Sequence, residues 1–453
     1  DEPLIPRDRV LEVGARSSAT GAVISRPDKI ELDSLAEQIQ ALGVRSVAVT
    51  LINSYLDAQL EDEVSNELAK RLPTITITPS TRVWPEIREY ERAMLAVMNA
   101  YIHPLLDAYY DSLARRLKAL GLEASLYITA SNGGTLSVES ARERPVDTLL
   151  SGPASGVVAT CALGADDHHD ELVAIDMGGT SCDMSITRNG QPVLTTSAKA
   201  GGYPLISPTV DVSAIGAGGG SILWLDNQNI LKVGPHSAGA EPGPASYGRG
   251  GVQPTITDCF LAMGLIDPQA FLGGRMQLDR SAAVEALDTL SEGLGFKGSD
   301  SALKVADSAL RVAIAMMSSE LYKELAQRGV DPRGRYLMAY GGAGPTLAAP
   351  LAHEAKLGGV LVPMSPGTLC AYGAITSQVR RDFIRSVRTR VPEGLMEVDS
   401  VETAIREMRA EAETWASAQG DELTDAVVWV AADMRYVGQA YELEIELSQL
   451  GSE

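Results

Sequence analysis

Two glycine turns at the ends of apolar runs restrict this chain more than any other feature. In "IDMGGTSCDMS" (Ile175–Ser185), two glycines and two hydroxyls stand between Asp176 and Asp183. In "AYGGAGP" (Ala339–Pro345), a second apolar run ends on glycines and opens a helical pattern. Glycine lets backbone N–H groups approach an anion closely, because no Cβ stands in the way. Gly178 and Gly179 supply such backbone, and Thr180 and Ser181 add hydroxyl donors. Asp176 can hold a divalent cation directly or through water, with Asp183 orienting a water; Mg²⁺ takes one or two carboxylates and keeps several waters. The plainer reading of the first turn is a tight hairpin with a capping aspartate. For Gly341, Gly342, Ala343 and Gly344 the choice is between a bare backbone surface for a base or ribose and close strand–helix packing. Two such junctions, about 165 residues apart from Asp176 to Gly341, favour a binding role for both.

Around these turns the pattern alternates between strand and helix, which is the signature of an α/β layer. "RSVAVTLIN" and "TITITPS" read as strands between or beside amphipathic helices. A long helix is expected from Glu89 to about Leu120, with Met94, Met98, Tyr101, Leu105, Tyr109, Leu113 and Leu117 on its apolar face. Pro104 should kink it. "LLSGPASGVVATCAL" reads as a helix with Pro153 in its first turn, and Asn189-Gly190 as a hairpin tip. The glycine-rich stretch that follows leaves little room for regular structure. Helices are expected near Ala282–Leu290 and Ser301–Gln327. From about Arg381 the pattern reads strand, helix, strand, strand.

Composition narrows the function. With 453 residues, roughly two to four domains are expected. A net charge of −21 repels phosphate backbones, so no nucleic-acid partner is expected. No apolar run of about 18 residues occurs, so no membrane span is expected. The four cysteines are scattered without a C-x-x-C pair, which argues against zinc and disulfides and for a reducing cytoplasm. There is no G-x-x-x-x-G-K-[ST], no complete dinucleotide fingerprint at "GAGGGS", no G-x-S-x-G and no H-E-x-x-H.

The two turns, together with "REYERAMLAVMNAYIHP", "ASNGGTLSVESARERPVDTLLSGPASGVV", "IGAGGGSI", "VGPHSAGAEPGPASYGRGG" and "DMRYVGQAYELEI", resemble the hydantoinase A/5-oxoprolinase family, of the N-methylhydantoinase A-subunit type. That family lies within the actin-like ATPase (sugar kinase/Hsp70/actin) superfamily. The resemblance implies a two-lobed α/β fold with ATP in the cleft and Mg²⁺ or Mn²⁺ beside it. Asp176–Asp183 would be the second phosphate motif and Gly341–Gly344 the adenosine motif. It implies ATP-dependent opening of a small cyclic amide, completed by a hydantoinase B-type subunit or domain, with self-association left open. The ATPase subunit of an acetone/acetophenone-type carboxylase is the alternative, as is a nucleotide-binding scaffold without chemistry. Expected segments are 1–85, the C-terminal part of the family's N-terminal region; 86–152, the rest of the first lobe; 153–380, the nucleotide-binding lobe; and 381–453, the start of a C-terminal region.

Several departures and secondary candidates follow. The family's first D-x-G-G-T-x-x-D does not occur, so the chain reads as a fragment with an incomplete first lobe, inactive alone. Leu60 and Leu347 stand where the family carries histidines, and Cys182 where it carries threonine. His236 and Asp258 are candidates for the cleft, Asp258 as a metal or water ligand or as a helix cap. Asn132 and Gly133 read either as substrate contacts or as a turn with positive φ. "ADDHHDE" (Ala165–Glu171) reads as a solvated loop.

Overall fold

The computed structural model describes residues 3–391, 398–419, 426–439 and 441–447. The N-terminal part alternates helix and strand. Helix α1 (Lys29–Ala41) leads to strand β1 (Ser46–Val49), and helix α2 (Gln59–Arg71) leads to strand β2 (Thr76–Pro79). The two strands pair in parallel. Leu32, Leu35, Ile39, Val49, Val64 and Leu68 form the core between them.

Helix α3 (Glu89–Ala119) is 31 residues long and contains Pro104. Its buried face is only partly the expected one: Met98 is buried, but Tyr101, Leu105 and Tyr109 are 72%, 70% and 56% exposed. Arg92, Leu95, Ala96 and Asn99 turn inward instead. The physical reason is a polar network that periodicity cannot show. Arg92 donates to the carbonyls of Leu51 and Glu86 and to Ser80 Oγ. Asn99 accepts from Val146 N–H and donates to the Glu143 carbonyl. Glu61, fully buried, receives Leu51 N–H, Thr81 N–H and three hydroxyls. A buried charge persists only when its hydrogen bonds are made in this way.

A short hairpin, β3 (Tyr127–Thr129) and β4 (Thr135–Ser137), precedes helix α4 (Ser151–Asp166). The central sheet then begins: β5 (Leu172–Met177), β6 (Cys182–Arg188) and β7 (Val212–Ile215). β5–β6 and β6–β7 are antiparallel. The turn between β6 and the next short strand is Asn189-Gly190, both with positive φ, as expected. β8 (Ser221–Leu225) and β9 (Leu231–Ser237) form a separate hairpin, so the glycine-rich region holds more strand than its composition suggests. Helices α5 (Ile256–Ala262), α6 (Arg280–Asp288) and α7 (Ser301–Gln327) cover one face. β10 (Tyr336–Tyr340) pairs in parallel with β5, and helix α8 (Gly344–Glu354) links it to β11 (Gly359–Leu361), which pairs in parallel with β10. The spatial order is β7-β6-β5-β10-β11. Residues 381–391 form no strand.

Helix α9 (Leu369–Thr376) returns beside α4. The chain then rejoins the first hairpin: Thr135 N–H donates to the Gln378 carbonyl, and Arg380 N–H to the Thr135 carbonyl. Thus α4 leads from the first hairpin to the central sheet and α9 leads back to that hairpin. Helix α10 (Asp399–Ser417) follows, with Trp415 against the β3–β4 region. The two crossover helices touch backbone to backbone, because a Cβ at Gly373 would lie 1.8 Å from the Ser155 carbonyl oxygen. Gly373→Ala should therefore force them apart and cost about 2 kcal/mol, within the usual range for overpacking. Urea unfolding checks this; a variant as stable as the parent would show that the contact relaxes freely.

Candidate functional site

The site begins with strand β5. Val173, Ala174, Ile175 and Met177 are fully buried, while Asp176 alone turns toward an open edge. Antiparallel register places Asp183 directly opposite Asp176, and Cys182 opposite Met177. Direct cross-strand neighbours share a face, so both carboxylates stand on one side of the hairpin. Gly178 N–H closes the turn onto the Ser181 carbonyl at 3.0 Å. The outer side of this turn is open: a Cβ at Gly179 would meet nothing within 4 Å.

The inner side is braced by the segment Gly216–Ser221. Gly219 N–H donates to the Gly178 carbonyl at 2.9 Å, and Gly220 N–H to the Gly179 carbonyl at 2.5 Å. A Cβ at Gly218 would fall 2.5 Å from the Thr180 carbonyl carbon. Thr257, from α5, fixes the brace through its N–H and its hydroxyl on the Gly219 carbonyl, at 2.7 and 2.8 Å. Sequence reasoning gave this triple-glycine run no role; its signal was the three consecutive glycines, which only close backbone contact explains.

The second turn lies beside the first. Tyr340 is the parallel register partner of Asp176. Gly341 has φ +80°, and a Cβ there would stand 2.3 Å from Asp176 Oδ1. Ala343 N–H donates to the Met177 carbonyl at 2.9 Å. Gly342 is open, with nothing within 4 Å of an added Cβ. Gly178, Gly179, Thr180, Ser181, Gly341, Gly342, Ala343 and Gly344 therefore gather at one end of the sheet with Asp176 and Asp183.

Burial holds the Asp176 carboxyl above its ordinary range, partly offset by the Cys370 thiol, whose Sγ lies 3.4 Å from Oδ2. Burial and the Asp176 charge hold Asp183 up as well. Cys370 was not singled out from the sequence. Its own thiol is pushed up to about 12 by burial and the neighbouring carboxylate. Among the described residues no arginine, lysine or histidine pairs with either aspartate, and no cluster of three metal-ligating side chains forms. Two carboxylates without a paired basic side chain suit a hard cation that retains water, such as Mg²⁺ or Mn²⁺; the one thiol beside them, Cys370, is held in its protonated form by burial and the carboxylate.

The remaining candidates are scattered. Asp258 is a correction: it is fully buried as the third residue of a capping box with Thr255. Its oxygens accept from the N–H groups of Ala245, Ser246 and Thr255 and from the Thr255 hydroxyl, which leaves no cleft-facing ligand. His236 is exposed on β9, next to Ser237, which borders Gly220. Asn132 and Gly133 (φ +83°) form the β3–β4 turn; Asn132 binds Gly134 N–H and Asp382. They do not join the two glycine turns; they lie where the chain returns to the first hairpin. Leu60 and Leu347 are 2% and 1% exposed. Both are core positions where leucine is satisfied. Cys182 is buried, its thiol also pushed up to about 12 by burial.

A sheet whose five strands in the order β7-β6-β5-β10-β11 make two antiparallel and then two parallel pairings, with glycine turns closing adjacent strands, defines an α/β chain of the actin-like ATPase type. The profile of the hydantoinase/oxoprolinase family matches residues 92–383, and that of the family's N-terminal region matches residues 1–72. The chain belongs to the hydantoinase/oxoprolinase family. It is 31% identical over 447 residues to the caprolactamase subunit alpha of Pseudomonas jessenii, covering 98% of this chain and 64% of that one. The crystal structure of the ATP-dependent caprolactamase from the same organism superposes with a TM-score of 0.87 at 31% identity, over 99% of this chain and 64% of the other. The acetophenone carboxylase gamma subunit of Aromatoleum aromaticum is 28% identical over 454 residues, 96% of this chain and 60% of its own. A nucleotide-free acetone carboxylase shares the fold, with a TM-score of 0.78 at 23% identity over 99% of this chain and 64% of that one. The chain thus spans under two-thirds of the length of the relatives it matches.

The paired aspartates generate a stability prediction. Both folded-state carboxyls lie above the ordinary range, so protonation favours the fold. The unfavourable charge is present at neutral pH and disappears as pH falls through those raised values. Asp176→Asn should therefore melt at or slightly above the parent at pH 7 without added metal, with the advantage vanishing on acidification. Thermal melts at several pH values test this; a variant clearly less stable at pH 7 would show that Asp176 holds the hairpin together.

Proposed function

We propose that this chain is the ATP-using component of an enzyme that opens a small cyclic amide. The observation that carries the proposal is the pair Asp176 and Asp183, uncompensated and opposite each other, with the Gly341 turn in contact with Asp176. In this reading the N–H of Gly179 and the hydroxyls of Thr180 and Ser181 hold the phosphates, while Gly178, whose N–H is engaged by the Ser181 carbonyl, shapes the turn. The bare backbone of Gly341–Gly344 receives the adenosine. Asp176 and Asp183 hold a divalent cation through water, and that cation supplies charge neutralisation for the transferring phosphoryl group. The amide oxygen takes the γ-phosphoryl group and ADP leaves; water then adds at the carbon, the C–N bond opens as the nitrogen takes a proton, and a second water hydrolyses the acyl phosphate left behind, releasing phosphate and the ring-opened carboxylate.

A B-type partner completes the hydrolysis. The name of the caprolactamase relative favours this partner arrangement and a lactam or related ring as substrate. The carboxylase relative supports the second reading, in which the same ATP chemistry serves carboxylation of a ketone. Four free cysteines suit a reducing cytoplasm.

ADP release by the full-length protein with its partner separates the two. Caprolactam, 5-oxoproline or hydantoin should stimulate it, whereas ketone with bicarbonate should not. Stimulation only by the ketone would overturn the hydrolase reading. In the same assay Asp176→Asn should lower turnover at least a hundredfold, and near-parental turnover at limiting Mg²⁺ would remove Asp176 from the metal site.

A further inference from the structure

We propose that a second, separate site at the junction of the two lobes binds a single carboxylate group. The cavity lies where the chain leaves the first lobe, at Arg144 and Asp147, and where it returns, at Arg380, Arg381 and Asp382; Asn132 and Trp84 complete it. Its volume is about 20 Å³, more than the roughly 10–15 Å³ that one water needs, which suits a small planar group.

Three observations point to an anion. The first is charge. The lining holds three arginines against two aspartates, one positive charge in excess. Asp147 already pairs with Arg144 Nη2 at 2.8 Å, and Asp382 with Arg380 Nη2 at 3.1 Å, so Arg381 lacks a close partner in the cavity. Glu143 stands 4.0 Å from Arg381 Nη1, but its side chain is 72% exposed, so solvent screens the pair.

The second observation is unsatisfied donors. Arg144 is only 8% exposed, yet its Nε–H is buried without a partner, and so is that of Arg381. Buried donors on charged groups are expensive to leave unmade. A carboxylate brings two oxygens, one for each Nε–H, in the planar geometry that guanidinium groups match best.

The third is that the arginines are already held in place. The Arg144 guanidinium lies over Trp84, 5.4 Å from the ring centroid. Arg381 lies over Phe383 and Trp415 at 5.2 and 5.9 Å. Asp382 is further tied to Asn132 at 2.7 Å. Because residues flanking both crossovers line one cavity, a bound carboxylate would join the two chain passages and fix the relation of the lobes. The site is distinct from the glycine turns and does not depend on their assignment.

The stacked tryptophans provide the readout. Fluorescence of the full chain should titrate saturably with formate at constant ionic strength, and neither chloride nor sulfate should reproduce the curve. Arg381→Gln should weaken formate binding at least tenfold. Asp147→Asn should tighten it, because Arg144 loses its internal competitor; a purely structural ion cluster predicts no such gain. Hexanoate binding more tightly than formate identifies the ligand as the end of a longer molecule, and the reverse order identifies a free small anion. Both support the site. A non-saturating response, identical curves for formate and chloride, or formate binding that Asp147→Asn leaves unchanged or weaker would overturn it. If Arg381→Gln does not fold, the parent titration and Asp147→Asn still decide.

Discussion

The arrangement depends on one parallel strand pairing. β5 and β10 align so that Asp176 stands beside Tyr340. That register brings the turn after each strand to the same edge, and Gly341 follows immediately, with its Cα against the Asp176 carboxylate. A slip of one residue would move Asp176 to the face on which Val173, Ile175 and Met177 pack. The core forbids the slip. Val173, Ile175, Leu337 and Ala339 are fully buried in one cluster, and burying an aliphatic side chain contributes roughly 1.5–3 kcal/mol. Hydrophobic burial thus fixes the position of two charged groups that burial alone disfavours.

The same trade governs the turn itself. Its outer side stays open, so the carboxylates and N–H groups face solvent or ligand. Its inner side cannot tolerate side chains, because the Gly218–Gly220 run lies directly against it. Stiff backing behind an open face is the arrangement expected of a site that must hold groups in place before a ligand arrives. The adjacent Cys370 contributes a weak donor to Asp176 and little charge relief. The unfavourable electrostatics of the two carboxylates therefore remain available to a cation.

Much of this was legible in the residues. Asp176, Asp183 and the glycines of both turns stood out because consecutive glycines at strand ends have few purposes. The α/β alternation and most helices also followed from periodicity, with Ser301–Gln327 read at its observed limits. Three things were hidden. The buried face of α3 is set by Arg92 and Asn99, whose partners come from distant loops, so the apolar stripe through Tyr101 and Leu105 pointed the wrong way. Asp258 was readable as a helix cap, since Thr255 and Asp258 stand at capping-box spacing, but the N–H groups of Ala245 and Ser246 that complete its enclosure come from a separate loop. The cavity at the lobe junction joins residues more than 200 positions apart, and no local pattern in "RERPVDTLL" or "QVRRDF" announces it.

The central claim is that the two glycine turns form one nucleotide site. Hydrogen exchange read by mass spectrometry, on the protein with and without Mg²⁺ and ADP, addresses it most directly. The account predicts that ADP slows exchange together in peptides spanning 176–184 and 339–345, with a smaller effect on 216–221 behind them. Protection confined to one turn, or appearing elsewhere while both turns exchange as before, would contradict it.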